Sequence, residues 1–297
     1  MSITIDYKEK IDSLKKQYDS LKIGKESLLD IIFTTELSES VYNSNAIENS
    51  TLNIAETEKI LLNMEVSRHI SMREIFEAKN LAQVFEYIKN KISTDNIDNN
   101  FILLLHKMLI GNIDQNISGQ FRKKGQYVRV GTYIAPAPEQ VESMISDILL
   151  EYSGNNKDYF LEKISKFHLD FENIHPFCDG NGRIGRVLIN YQLMQSGFPP
   201  IIIRDKEKQL YYDSFKEYRD SKIKKTKNME KVLYLALLES LHKRITYLEG
   251  KKVIRLSEYA NEIKEKKSIL LNKAKRQSIP AFRERGTWKI GVEGLIK

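Results

Sequence analysis

Between His175 and Arg186 the chain crowds chemically distinct groups into twelve residues, His175-Pro176-Phe177-Cys178-Asp179-Gly180-Asn181-Gly182-Arg183-Ile184-Gly185-Arg186. Packing alone has no use for an imidazole, a carboxylate, flexible glycines and two guanidinium groups set side by side. His175 titrates near neutrality and can take a proton from an incoming hydroxyl. Gly180 and Gly182 let the backbone approach a ligand closely. A helix starting just after them offers unpaired N–H groups and the positive end of its dipole, a site suited to phosphate. Arg183 and Arg186, three residues apart, project from one side of the first turns and can clasp further phosphate oxygens. A carboxylate beside phosphates is repulsive unless a divalent ion lies between them, so Asp179 reads as a Mg²⁺ (or Mn²⁺) ligand. Taken singly, each group has a bland alternative: a structural histidine, a turn glycine, a solvated arginine face. Together they describe a site that grips a polyphosphate and moves a proton beside it.

Such a site needs a helix on each side of the loop. Phe160, Ile164, Phe167, His168, Phe171 and Ile174 recur at helical spacing over Tyr159 to Ile174. Pro176 disfavours helix at His175, so this helix is predicted to end there. Ile184, Val187, Leu188, Tyr191 and Met194 predict a second helix from near Asn181 to about Gly197, a residue suited to a helix stop. Phe177 is expected to point away from the ligand and pin the loop into the core. Asp6 to Lys22 and Ile70 to Lys89 read as further helices around this pair.

The motif resembles the signature of the Fic family, His-Pro-Phe-x-Asp/Glu-Gly-Asn-Gly-Arg-x-x-Arg, at every fixed position, with Cys178, Ile184 and Gly185 at the free ones. The likeness runs roughly from Leu37 to Arg219. It implies a mainly α fold, a Fic-type helical bundle with a short β-hairpin flap. It also implies a protein adenylyltransferase that passes the AMP of ATP to Ser, Thr or Tyr hydroxyls of a target protein, itself included. By resemblance His175 is the base and Asp179 holds Mg²⁺ against the α- and β-phosphates. Asn181 and the backbone of Gly180 and Gly182 form the anion hole, and Arg183 and Arg186 take the distal phosphates. In-line displacement at phosphorus needs positioning and charge neutralisation more than covalent help, which agrees with that division of labour.

Two further stretches resemble family elements. Gln126-Tyr127-Val128-Arg129-Val130-Gly131-Thr132-Tyr133-Ile134 alternates as a hairpin arm does and resembles the flap that lies over the nucleotide and aligns the target by strand pairing. Val130, Gly131, Thr132 and Tyr133 are expected near the nucleotide, although Ala135-Pro136-Ala137-Pro138 replaces the family's adjacent prolines. Tyr211 and Tyr212 resemble the tyrosine pair that flanks the adenine, with core packing beside Phe215 and Tyr218 as the alternative. Arg219 falls where relatives can carry an adenine-side polar group.

Ser44-Asn45-Ala46-Ile47-Glu48-Asn49 resembles the inhibitory motif Ser/Thr-x-x-x-Glu-Gly/Asn on a helix of many Fic proteins. Ser44 and Glu48 are four apart and share a helix face. The resemblance implies that Glu48 pairs with Arg186, takes over its γ-phosphate duty and leaves ATP only an unproductive pose. A retained glutamate beside Mg²⁺ also suits the reverse reaction, removal of AMP by water.

The 297 residues, 41% hydrophobic and 29% charged, suit a folded, helix-rich protein. A single cysteine, Cys178, excludes an internal disulfide framework and, at a free motif position, reads as a bystander. The Met1-Ser2-Ile3-Thr4-Ile5-Asp6 start carries no signal-peptide pattern and no stretch is apolar enough to span a membrane, so a cytoplasmic protein is expected. Four segments are predicted: N-terminal helices at 1–95 with the inhibitory helix near 37–49, the catalytic core at 96–220, a connecting helix at 221–250, and a module at 251–297.

That last module holds 13 Lys/Arg against 5 Glu, net +8, so the first 250 residues carry net −1. Its Leu256–Ala260 and Ile279–Ile290 stretches resemble the small winged helix-turn-helix of excisionase-like proteins, with Arg283 to Gly286 as the wing tip. The resemblance and the charge suit DNA contact, against a packing or protein-interaction role in which the lysines serve solubility. Besides the enzyme, two alternatives are carried: transfer of another nucleotide or phosphate moiety, and a nucleotide-sensing DNA-binding regulator without activity. A homodimer is a further expectation from the family.

Overall fold

The computed structural model describes residues 5–92, 97–155 and 157–293. Met1 to Thr4, on which the leader reading partly rests, the 95/96 segment boundary and residues 294–297 of the C-terminal module lie outside them. In chain order come α1 (Ile5–Leu21), α2 (Glu26–Ile47), α3 (Ile54–Leu61), α4 (Met72–Asn90) and α5 (Asn99–Ile110). A hairpin of β1 (Arg129–Val130) and β2 (Tyr133–Ile134) follows, then α6 (Val141–Gly154), α7 (Phe160–Ile174), α8 (Asn181–Gln195), α9 (Lys208–Asp220) and α10 (Lys227–Leu248). The chain closes with β3 (Lys252–Arg255), α11 (Leu256–Glu262), α12 (Lys267–Lys275), β4 (Ala281–Glu284) and β5 (Thr287–Val292).

Local chemistry starts these helices where they start. Asn53 Oδ1 accepts from the Glu56 N–H while Glu56 Oε2 accepts from the Asn53 N–H, a reciprocal cap on α3. Ser71 and Asp98 cap α4 and α5 one-sidedly, their side chains accepting from the N–H groups of Glu74 and Phe101.

The body is organised around α8. Nearly every residue from Asn181 to Met194 is buried, which is why this helix shows no polar stripe. On one side Ile184, Val187, Leu188 and Tyr191 meet the apolar faces of α4, α5, α6 and α7. On the other, Ile189 and Leu193 join α1, α7, α9 and α10 in a second core. The stretch expected as a connecting helix belongs to that core. Met229, Leu233, Leu237, Leu238, Leu241 and Leu248 of α10 are all buried, so it is a load-carrying wall between body and module rather than a spacer.

The C-terminal module has the winged-helix order of strand, two helices and hairpin, with β5 central between β3 and β4 and all pairs antiparallel. Ile290 sits opposite both Ile254 and Ala281 and shares a small core with Leu256, Ala260, Leu270 and Ala274. Two features of the wing differ from expectation. The turn is Arg285–Gly286 alone, both at positive φ (49° and 75°), because Arg283 and Glu284 already pair within β4. Moreover, its arginines do not stand free: Arg283 pairs with Glu239 and Glu207, and Arg285 with Glu58. The wing is folded onto the helical body.

Candidate active site

The helix–loop–helix forms as expected. α7 stops at Ile174, and His175 adopts a left-handed conformation (φ 51°, ψ 64°) with its N–H donating to Phe171 O at 2.9 Å. That left-handed conformation turns the chain out of the helix at His175. Burial pushes His175 down to about 4, so it is neutral and able to accept a proton at physiological pH. Phe177 is fully buried and stacks on His106 with ring centroids 3.7 Å apart, pinning the loop.

Gly180 caps α8 at φ 82°, and a Cβ there would meet Leu109 and Ile110 at 3.1 and 3.3 Å. Asn181 is used differently from expectation. Its amide oxygen accepts from Phe177 N–H and its amide nitrogen donates to Phe177 O, both at 2.8 Å, so the side chain closes the loop on itself. Its part in an anion hole is therefore to shape the backbone. Asp179 accepts from the Gly180 N–H at 2.6 Å, from Arg183 at 2.9 Å and from Arg73. Burial alone would raise its carboxyl, but Arg183, Arg73 and that N–H outweigh it and hold the group ionised below the ordinary range. Among the described residues no three His, Cys, Asp or Glu cluster as a metal cage. A single ionised carboxylate beside an anion cradle fits Mg²⁺, which takes most of its ligands from phosphate and water.

Arg183 is buried between Asp179 and Glu77. Arg186 is buried too and gathers the expected inhibitory residues. Its Nε donates to Ser44 Oγ at 2.9 Å, and one terminal nitrogen donates to Ser44 O at 2.8 Å and Glu48 Oε1 at 2.9 Å. Glu48 caps the C-terminus of α2, and Asn49 after it stands at φ 67°, which explains a Gly or Asn at that place. A Cβ on Gly182 would lie 2.2 Å from Glu48 Oε1 and 3.0 Å from Arg186. The bare glycine thus lets a carboxylate rest against the start of α8. An anion is already seated where the cradle expects one.

The flap forms, with Arg129 opposite Ile134 and Val130 opposite Tyr133, and Gly131 (φ 60°) and Thr132 exposed in its turn. Thr132 is therefore a turn residue between the two strands. Tyr133 ties the flap to the C-terminal turn of α7 through a 3.2 Å bond from its hydroxyl to Asn173 O, and the Arg219 guanidinium lies 5.1 Å over its ring. The tyrosine pair divides. Tyr211 is buried, with its hydroxyl 2.8 Å from His168 Nε2 and 3.4 Å from Arg186, so it belongs to the core. Tyr212 is partly exposed and donates to Ile47 O at 2.6 Å, where α2 ends.

A family model described as the Fic/DOC family matches residues 96–193. Through those residues the chain is similar to the Fic/DOC family. The protein adenylyltransferase Fic of Aedes aegypti is 33% identical over 179 residues, covering 58% of this chain and 35% of that protein. The chain spans between about a third and a half of the length of the curated relatives it matches. A Fic domain-containing signaling protein from Bacteroides thetaiotaomicron shares the fold at a TM-score of 0.73, with 24% identity over 82% of this chain and 97% of its own. A Fic family protein from Desulfovibrio desulfuricans shares it over 100% of this chain and 99% of its own, at a TM-score of 0.63 and 19% identity. The mainly α architecture with a flap hairpin is that of the Fic structures.

Several residues that shape this Fic site have no local sequence signal. Arg122 is buried and donates to four carbonyls: His175 O (2.8 Å), Gln126 O (3.0 Å), Pro136 O (3.0 Å) and Ile174 O (3.2 Å). It thereby fastens the turn at His175 to both ends of the flap. His106 accepts from Gly119 N–H at Nδ1 and donates from Nε2 to Asp179 O, each at 3.0 Å, and burial holds it near 4, neutral as those bonds require. Glu172 lies one turn before His175, its Oε2 3.7 Å from His175 Nδ1. Burial, aided by the Glu48 carboxylate, pushes Glu172 up to about 8, so it is mostly protonated at neutral pH. Cys178 stays a bystander: burial raises its thiol and keeps it protonated.

Proposed function

We propose that the chain is a protein adenylyltransferase held back by its own helix α2. A target Ser, Thr or Tyr hydroxyl gives its proton to His175 while its oxygen attacks the α-phosphorus of ATP. The bond to the β-phosphate oxygen breaks, pyrophosphate leaves, and AMP stays esterified to the target. The backbone of Gly180 to Gly182 and Arg183 steady the phosphates, and Asp179 would hold Mg²⁺, which when bound neutralises phosphate charge. Arg186 serves the distal phosphate once Glu48 yields it. The flap presents the target segment by main-chain pairing. A cytoplasmic setting, where Mg²⁺ and ATP are plentiful, is part of this reading.

The observation that carries it is the Glu48 carboxylate lying against Arg186 and the bare start of α8, an anion in the phosphate cradle beside a neutral imidazole. The decisive experiment incubates Glu48→Gly protein with Mg²⁺ and each NTP labelled at the α-phosphate, followed by mass measurement. A gain of one AMP from ATP alone supports the reading. Gain from another nucleotide redirects it, and loss of AMP from a pre-modified target would assign the hydrolytic direction, with Glu48 aiming water.

DNA contact through 251–297 is proposed as a second property. It is favoured by the exposed basic residues in and around α12, Lys267 and Lys275 within the helix and Lys266 and Arg276 at its two ends. With the wing arginines engaged elsewhere, that helix would carry the contact by itself. A band shift of the full chain that weakens with salt and is lost in Lys267→Glu/Lys275→Glu supports it; no shift at low salt removes it.

A further inference from the structure

The wing of the C-terminal module touches the same helix that carries the inhibitory motif. Glu39 of α2 is buried, five residues before Ser44. Its carboxylate accepts the N–H groups of Arg285 and Gly286, the two turn residues of the wing, each at 3.1 Å. It also accepts from Arg204, whose other terminal nitrogen reaches Glu239 of α10 at 2.8 Å. Arg283 of β4 completes the chain of charges, donating to Glu239 Oε2 and Glu207 Oε1 at 2.6 Å each. A second rung lies one turn earlier: Glu36 of α2 meets Arg244 at 2.7 Å and Lys243 at 3.1 Å, and Lys243 also reaches Glu284 of the wing at 3.3 Å. Asn43, next along the same stripe, accepts from Asp205 N–H at 3.1 Å.

Thus α2 is gripped along two sides. Glu36, Glu39 and Asn43 are held by the module, α10 and the segment before α9, while Ser44 and Glu48 are held by Arg186. Helical rigidity joins the two sets, since only a turn or so separates them. Apart from Glu207, whose side chain is half exposed, the network is largely buried, and in a buried ion cluster removing one partner leaves the others uncompensated, so it holds one geometry or gives way. It also borders open space: a cavity of about 760 Å³ is lined by Arg204, Glu207, Glu239, Arg283 and Trp288. The arginines can be drawn aside without unpacking a core.

We propose that the wing turn latches the inhibitory helix, with Glu39 as the positioning residue that sets Ser44 and Glu48 on Arg186. Whatever engages the wing then acts on nucleotide transfer without touching the Fic loop. This rests on the reading of Glu48 as the brake, and the test separates the two. Full-length wild type, Glu48→Gly, Arg283→Ala and the double variant are compared for AMP incorporation from labelled ATP, with amide hydrogen exchange followed over residues 40–49. The expected result is a rise of at least about threefold in Arg283→Ala over wild type with faster exchange in α2, and no further rise in the double variant over Glu48→Gly. A variant that merely damaged the fold would lower labelling in both backgrounds. If Arg283→Ala is not recovered folded, Glu39→Gln, which keeps the volume and loses the charge, carries the same comparison. No rise from Glu48→Gly alone sinks the brake. A rise from Glu48→Gly with none from the folded Arg283 or Glu39 variant sinks the latch and leaves the brake standing.

Discussion

The Arg186 guanidinium and the Glu48 carboxylate meet at 2.9 Å across the bare backbone of Gly182, 138 residues apart in the chain. Arg186 is held well above its ordinary range: burial works against its charge, but Tyr211 and Glu48 beside it outweigh that. An arginine so satisfied has little left for a phosphate. Glu48→Gly should therefore raise AMP incorporation by at least about tenfold, the worth of one contact of ~1.4 kcal/mol. Labelling with ATP radioactive at the α-phosphate measures it.

His175→Ala, made in the Glu48→Gly background, should lower incorporation by about 10²–10⁴-fold, the usual share of a general base. Binding of Mg²⁺–ATP followed by calorimetry should change little, because the cradle lies in the α8 backbone and the arginines. Equal losses of binding and transfer would mean that His175 holds the nucleotide rather than moves a proton.

Much of this site was legible before any coordinates, for a physical reason. The loop carries base, carboxylate, glycines and arginines within one short stretch, and its flanking helices announce themselves by apolar spacing and by Pro176. Ser44 and Glu48 were readable because the motif named their partner. Arg122 was not: in sequence it is the first of three basic residues, Arg122-Lys123-Lys124, and only folding gives it four carbonyls. His106 and Glu172 likewise look like ordinary helix residues until α5 and α7 close on the loop. The wing misled in the opposite sense. A local excess of positive charge suggested a free basic tip, but its acidic partners Glu39, Glu58, Glu207 and Glu239 lie far away in sequence, beyond the reach of any local pattern.

Arg122→Lys should be costly although the charge is kept. A single ammonium cannot reach four carbonyls placed around a planar fork. The expected loss is roughly 2 kcal/mol, a fall in Tm of about 5 °C, with transfer falling further than stability because the turn at His175 loosens. Thermal unfolding and labelling, each compared with wild type, test this; a Tm within a degree of wild type would place the fastening elsewhere.

Glu172 offers a test in pH. Its folded carboxyl, near 8, keeps a proton that the unfolded chain releases near 4.5, so its contribution to stability is full below 4.5 and is lost as pH rises toward 8. Glu172→Gln mimics the protonated form at every pH. Its Tm should match wild type at pH 4.5 and exceed it increasingly up to pH 8, by about 2 °C or more. His106 and His175, lowered to about 4, and His168, lowered to about 3, act in the opposite sense as pH falls from 6.5 to those values, and comparing variant with wild type at each pH cancels them. A constant difference across the range would refute the protonated carboxyl.

The two-stranded arm over the site pairs only with itself among the described residues, leaving an outer edge of unspent main-chain donors and acceptors. Such an edge is indifferent to side-chain identity. Under the proposed transfer, choice of acceptor would pass from recognition to geometry: any extended segment whose hydroxyl reaches the rim at the right depth would serve, and control of timing would do the work that discrimination otherwise does.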